Sequence, residues 1–134
     1  MLTDEQIVQL FRTMKTIAVV GLSNNPMRAS YGVARFLQRR GFRIIPVNPN
    51  ESEVLGERAY ARVRDVADPI DVVDVFRRHE FVPPIVDELV GRNIQCLWLQ
   101  EGVVSQEAAV KAQAAGIPFV MNRCILKELA RLSP

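Results

Sequence analysis

Ile17-Ala18-Val19-Val20-Gly21, followed by Leu22-Ser23-Asn24-Asn25-Pro26-Met27-Arg28, is the stretch that decides the fold. Four apolar residues end at a glycine, a polar turn follows, and a helical pattern opens near Ser30. Strand, tight turn and helix amino end, in that order, make the phosphate cradle of dinucleotide-binding folds. The unpaired amides of the first helical turn and the helix dipole both favour an anion there. The glycine fingerprint G-x-G-x-x-G is nevertheless missing. Only its first glycine is present, and Ser, Asn and Arg occupy the rest of the loop. The stretch points to a phosphorylated nucleotide other than NAD.

The flanking sequence supplies the rest of an alternating pattern. Upstream, Thr3-Asp4-Glu5-Gln6 reads as a capping box opening a helix with Ile7, Leu10, Phe11 and Met14 on one face. Downstream, Ser30 is expected to cap a helix with Val33, Phe36 and Leu37 inward and Arg39 and Arg40 outward, closed by Gly41. Phe42–Val47 is a second strand, ending in Asn48-Pro49-Asn50. The pattern is then poor until Pro69, with short pieces of structure at Val54-Leu55-Gly56 and Ala59-Tyr60-Ala61. Asp71–Phe76 reads as a third strand. Glu80–Arg92 reads as a helix entered through Pro83-Pro84, with Ile85, Leu89 and Val90 inward. Gln95–Leu99 is a fourth strand, and Ser105 caps a helix bearing Ala108, Ala109 and Ala112 that ends at Gly116. Ile117–Met121 is a fifth strand and Cys124–Leu132 a last short helix.

Strands alternating with helices mean a parallel sheet covered on both faces, with right-handed crossovers. The fold class is α/β: a Rossmann-like, doubly wound, five-stranded parallel sheet, expected in the order 3-2-1-4-5, with residues 1–134 forming one domain. In such a sheet the ligand crevice lies outside the carboxyl ends of the strands. Those ends are Gly21–Arg28, Asn48–Asn50, Arg77–Arg78, Gln100–Gly102 and Asn122–Cys124, all polar after apolar strands.

The second strand end narrows the nucleotide. An NAD site places an acid there against the ribose diol, and an NADP site an Arg. Here the residues are Val47-Asn48-Pro49-Asn50, with no carboxylate before Glu51. Proline removes a donor and suits packing against a flat group. Nicotinamide cofactors, and with them an NAD(P)-binding redox protein or sensor, are disfavoured. In the first loop Ser23, Asn24 and nearby amides can donate to phosphate oxygens, and Arg28 adds a planar cationic fork.

Composition bounds the remaining possibilities. The 134 residues carry a formal net charge of +2, which permits a local phosphate site but not a strong polyanion binder. No apolar run approaches the roughly 18 residues needed to span a membrane. The acidic start Met1-Leu2-Thr3-Asp4-Glu5 is no secretory signal. Cys96 and Cys124 lack metal-like spacing, so a reduced, cytoplasmic setting is expected. Arg39-Arg40 complements a helix dipole and lacks the aromatic interleaving of a nucleic-acid site.

Taken together, the motifs resemble those of the small stand-alone CoA-binding proteins, whose domain is similar to the CoA-binding domain of the succinyl-CoA synthetase alpha subunit. The carriers are Val20-Gly21-Leu22-Ser23 with Pro26, Arg28 and Ser30, then Ile45-Pro46-Val47-Asn48-Pro49, and Gly56. They continue with Asp71-Val72-Val73-Asp74-Val75-Phe76-Arg77, Leu97-Trp98-Leu99-Gln100 with Gly102-Val103, and Arg123-Cys124. The resemblance implies coenzyme A as ligand. It implies that Gly21, Ser23, Asn24, Arg28 and Ser30 belong to the phosphate loop. It implies that Val47, Asn48 and Pro49 line the adenosine side, that Phe76 and Arg77 lie beside the ligand path, and that Gln100 and Glu101 approach the pantetheine. The family commonly has Asp where Asn122 stands. The synthetase subunit also carries a second domain with a phosphorylated histidine, for which this length leaves no room. The expected partner is a small molecule, CoA or an acyl-CoA, with no nucleic acid and no membrane.

The residues agree on chemistry. CoA is a polyanion, so Arg28, Arg77 and Arg78 near strand ends make electrostatic sense, and Phe76 and Trp98 suit its partly apolar arm. The leading role is a non-catalytic binding, carrier or regulatory module. An alternative is an enzyme acting on acyl-CoA or CoA disulfide through Cys124, whose place at a helix start beside Arg123 would favour the thiolate. No base is evident beside that cysteine, and packing at a helix start explains it equally. Cys96 reads as core, His79 as a solvated loop residue, and Trp98 as core before stacking platform. Asp74 is either a charge at a strand end or a structural bond to loop amides.

Overall fold

A computed structural model describes residues 1–132. Helix α1 (Asp4–Thr13) precedes strand β1 (Thr16–Val20), and α2 (Ala29–Arg39) leads to β2 (Arg43–Val47). A small antiparallel ribbon follows, β3 (Glu53–Val54) and β4 (Glu57–Arg58). The chain continues through β5 (Val72–Val75), α3 (Val82–Leu89), β6 (Cys96–Leu99), α4 (Gln106–Ala114), β7 (Phe119–Val120) and α5 (Ile125–Leu132).

The main sheet is five-stranded, in the order β2-β1-β5-β6-β7, with every pairing parallel. The doubly wound class holds, but the order within it differs from expectation. The third of the five main strands lies beside β1, on the side away from β2, giving 2-1-3-4-5 in chain order rather than 3-2-1-4-5. The pairing sets the placement: Val72 to Val75 lie parallel to Ile17 to Val20 on the side of β1 away from β2. The place beyond β2 goes instead to a single parallel bridge, Val47 to Tyr60. It is held by the Tyr60 amide donating to the Pro46 carbonyl (3.0 Å) and the Asn48 amide donating to the Tyr60 carbonyl (2.8 Å).

Two apolar cores flank the sheet. Val73 and Val75 face Val82, Ile85 and Leu89 of α3 and Ala108 and Ala112 of α4. Ile17, Val19 and Trp98 belong to the other core, with Ile7 and Leu10 of α1, Val33 and Leu37 of α2, and Ile125 and Leu129 of α5. The helix ends follow local rules. Thr3 and Gln6 form the expected capping box, and Ser105 accepts from the Ala108 amide. Ser30 does not cap α2. Arg28 holds that position without a side-chain bond, and Ser30 lies buried in the first turn. Val90, expected inward, is exposed because α3 ends at Leu89 and Val90 already has extended backbone. Among the described residues no helix is long and apolar enough to cross a membrane.

Candidate functional site at the carboxyl ends of β1, β2 and β5

The chain leaves β1 toward β2 on one side and returns to β5 on the other. The carboxyl ends of β1 and β5 are therefore the topological switch point, where loops diverge and leave a crevice. A cleft of about 560 Å³ opens there, lined by Gly21, Ser23, Arg28, Ala29 and Ser30 from the first loop, Asn48, Pro49 and Asn50 from the second, and Phe76 and Arg77 from the third. Gly21 is required on two counts. Its φ is +87°, and a Cβ there would stand 2.7 Å from the Phe76 carbonyl oxygen. Glycine lets the first loop rest directly on the end of β5.

The two walls of the cleft are tied together by a pair of asparagines working in opposite directions. Asn48, in the β2 loop, donates its side-chain amide to the Leu22 carbonyl (3.0 Å). Asn24, in the β1 loop, donates its backbone amide to Glu51 (2.7 Å) and its side-chain amide to Glu51 (3.1 Å) and the Glu53 carbonyl (2.7 Å). The Asn48 side-chain oxygen also accepts from the Asn50 amide (2.9 Å). Within the first loop, Ser30 Oγ accepts from the Ser23 amide (3.2 Å), and Ser23 Oγ from the Asn25 amide (3.0 Å). The serines thus shape the loop that the α2 amino end completes.

The cleft is cationic. Its lining has two arginines and no carboxylate. The first turn of α2 contains no acid and Arg28 offers it no side-chain cap. An amino end without a side-chain cap, the helix dipole and two guanidinium groups all favour an anion. Arg77 is held in place by its own neighbour, its guanidinium 4.3 Å from the centre of the Phe81 ring. Glu51, the nearest acid along the second loop, is turned onto Asn24. Nothing in the lining offers the carboxylate that a ribose diol of NAD would require.

Gly21, Ser23, Arg28, Ser30, Asn48, Pro49, Phe76 and Arg77 are thus brought together, and other expected site residues are not. The Val47 side chain is buried in the core and its carbonyl accepts from the Gly21 amide. Asn24 is committed to the β3 side of its loop. Gln100 is buried and accepts from the Ile125 amide (3.0 Å), capping α5. Glu101 pairs with Lys127 (3.0 Å) in solvent. Trp98, expected near the ligand arm, is fully buried against Phe11, with its indole N–H on the Arg123 carbonyl (2.8 Å). Asn50, expected at the crevice as part of the second strand end, lines the cleft, and so does Ala29, which the sequence does not point to. Helix position puts Ala29 there, and it has no chemical signature.

Cys124 is half-buried at the start of α5, packed against the second core. The Arg123 guanidinium pairs with Asp4 (3.5 Å) and Glu128 (4.0 Å). Cys96 is core, and burial pushes its thiol up. His79 is solvent-exposed beside Glu80. Asn122 adopts φ +63° and accepts from the Gly102 amide (2.8 Å), joining two loops. Asp71 makes the loop-amide bonds considered for Asp74, accepting from the Lys15 (2.8 Å) and Thr16 (2.9 Å) amides. Asp74 itself is neither at the strand end nor bonded. It sits within β5, fully buried, with both carboxyl oxygens unpartnered, and burial holds its pKa well above the carboxylate range. No group of acids, cysteines and histidine arranged to hold a metal occurs among the described residues.

A doubly wound α/β domain with a cationic cleft at its switch point is the class that fold and site define. Residues 15–130 match the CoA binding domain family, and the chain belongs to it. It is 38% identical over 120 residues to the uncharacterized protein YneT of Bacillus subtilis, covering 90% of this chain and 89% of that protein. A solved structure of a hypothetical protein from Pyrococcus horikoshii superposes with a TM-score of 0.94 at 37% identity, covering 99% of this chain and 94% of that one. The alpha subunit of an ADP-forming acetate–CoA ligase II from Pyrococcus furiosus is 32% identical over 90 residues. That match covers 66% of this chain but only 20% of the subunit.

Proposed function

We propose that the cleft binds coenzyme A or an acyl-CoA, and that residues 1–134 form a single CoA-binding domain acting as a binding, carrier or regulatory module without chemistry of its own. The observation that carries this reading is the meeting of Arg28, Arg77 and an α2 amino end free of caps and acids in one cleft. CoA brings three phosphates, and such a cleft rewards each additional negative charge. Family membership and the partial likeness to an acetate–CoA ligase subunit support the same ligand.

In this arrangement the α2 amino end, Arg28 and the Ser23–Ser30 loop hold phosphate. Asn48-Pro49-Asn50 form the wall for the adenosine, with Pro49 offering a flat surface. Phe76 and Arg77 flank the exit of the pantetheine. Bound CoA would supply a thiol able to carry an acyl group. The protein's residues bind and orient its nucleotide end, and no nucleophile paired with a base lines the cleft.

A thermal-shift panel tests the reading. A ligand at 100 times its Kd adds about 2.7 kcal/mol to stability. CoA and acetyl-CoA are expected to raise Tm strongly, ADP less, and NAD and NADPH not at all. A shift with NADPH and none with CoA would overturn it.

A further inference from the structure

Resting on the CoA reading above, we propose that this protein grips only the nucleotide half of its ligand and is indifferent to the acyl group, so that free CoA and short- or medium-chain acyl-CoA thioesters bind alike. The cleft draws its lining from the ends of β1, β2 and β5 and stops at Arg77. At the next strand ends, after β6 and β7, the polar side chains are engaged in bonds internal to the protein. The Gln100 side-chain oxygen is taken by the Ile125 amide, and that of Asn122 by the Gly102 amide. Glu101 is paired with Lys127. Trp98, the one large aromatic on β6, has no exposed surface. A pantetheine arm leaving past Arg77 therefore meets loops whose polar groups are already engaged, and among the described residues no apolar side chain of β6 or β7 lines the cleft.

The energetics follow from area. An acyl methylene gains free energy only where it is withdrawn from water, about fourfold in affinity for each one buried. An apolar pocket for eight carbons would separate octanoyl-CoA from CoA by several orders of magnitude, whereas an arm left in solvent separates them by almost nothing. The reactive end of the ligand is thereby presented outward. That geometry suits a carrier and gives Cys124 no part in it, since Cys124 packs half-buried against the second core and does not line the cleft.

Calorimetric titration of the full chain with CoA, acetyl-CoA and octanoyl-CoA decides the matter, with 3′-phosphoadenosine 5′-diphosphate as the probe for the nucleotide half. The three CoA species are expected to agree within fivefold, and the nucleotide alone to displace CoA. A difference greater than fivefold between any two CoA species, or failure of the nucleotide to compete, would overturn the proposal while leaving CoA binding intact. If none of the CoA species binds, the CoA reading itself falls and this inference falls with it.

Discussion

Gly21 rests on Phe76. A β-carbon on Gly21 would stand 2.7 Å from the Phe76 carbonyl oxygen and 3.1 Å from Arg77 Cδ. The first loop and the end of β5 are therefore in backbone contact, and the position of Arg77 in the cleft depends on it. Gly21 also has φ +87°, where a side chain is strained. Gly21→Ala is expected to lose about 1–3 kcal/mol of stability from strain alone, and CoA affinity should fall beyond that loss as Arg77 is displaced. Denaturant unfolding and CoA titration of the same variant read both effects. A variant with unchanged stability would mean the loop moves freely off β5.

Arg28 is exposed at the head of α2 and makes no side-chain cap. Its removal should cost binding and not folding. A charge-assisted hydrogen bond is worth about 1.5–3 kcal/mol, so Arg28→Ala is expected to weaken CoA by roughly tenfold or more with Tm unchanged. Arg28→Lys should recover only part of it, because an ammonium lacks the planar fork. Unaltered affinity in the alanine variant would remove Arg28 from the site.

The reciprocal asparagines predict a coupled loss. Asn48→Ala removes the bonds to Leu22 and Asn50, and Asn24→Ala removes side-chain bonds to Glu51 and Glu53. Each should lower stability by about 1 kcal/mol per bond lost and weaken CoA by widening the cleft. Because both ties join the same two loops, the double variant should lose less CoA affinity than the sum of the singles. A double-mutant cycle on CoA affinity reads this directly, and strict additivity would show that the two ties act independently.

Asp74 and Asp71 predict opposite pH effects from one strand and its entry. Burial raises the Asp74 pKa, so the folded state holds its proton longer than the unfolded state does. The stability from that proton is complete below the unfolded value of about 3.9 and is lost as pH rises toward the raised folded value. Burial also opposes ionisation of Asp71, but amide bonds from Thr16 and Lys15 outweigh it and lower its pKa. Its contribution is present above about pH 3.9 and is lost as pH falls. Asp74→Asn should therefore gain stability relative to wild type as pH rises from about 4, and Asp71→Asn should lose its disadvantage as pH falls. Urea unfolding across pH measures both. A flat difference for Asp74→Asn would mean the Asp74 carboxyl has a partner in solution.

Much of this was legible in the chain, because local rules govern it. The capping box at Thr3, the Ser105 cap, Gly41 after α2 and the all-apolar strands each depend on neighbours within a few residues. So does the convergence of polar loops after those strands. What escaped reading depends on partners far along the chain. The strand order turned on the pairing of β1 with β5, two strands far apart in the chain. Gln100 and Asn24 look like free polar groups until Ile125 and Glu51 claim them. Asp74 looks like a strand-end acid until the register sets it opposite Trp98 and Val19. Ser30 is a good capping residue by type, but the helix begins before it.

The most direct test of the central claim is calorimetric titration of the purified chain with CoA and, separately, with NADH. Micromolar or tighter binding of CoA with no heat from NADH is the predicted result. Binding of NADH with CoA silent would contradict the account.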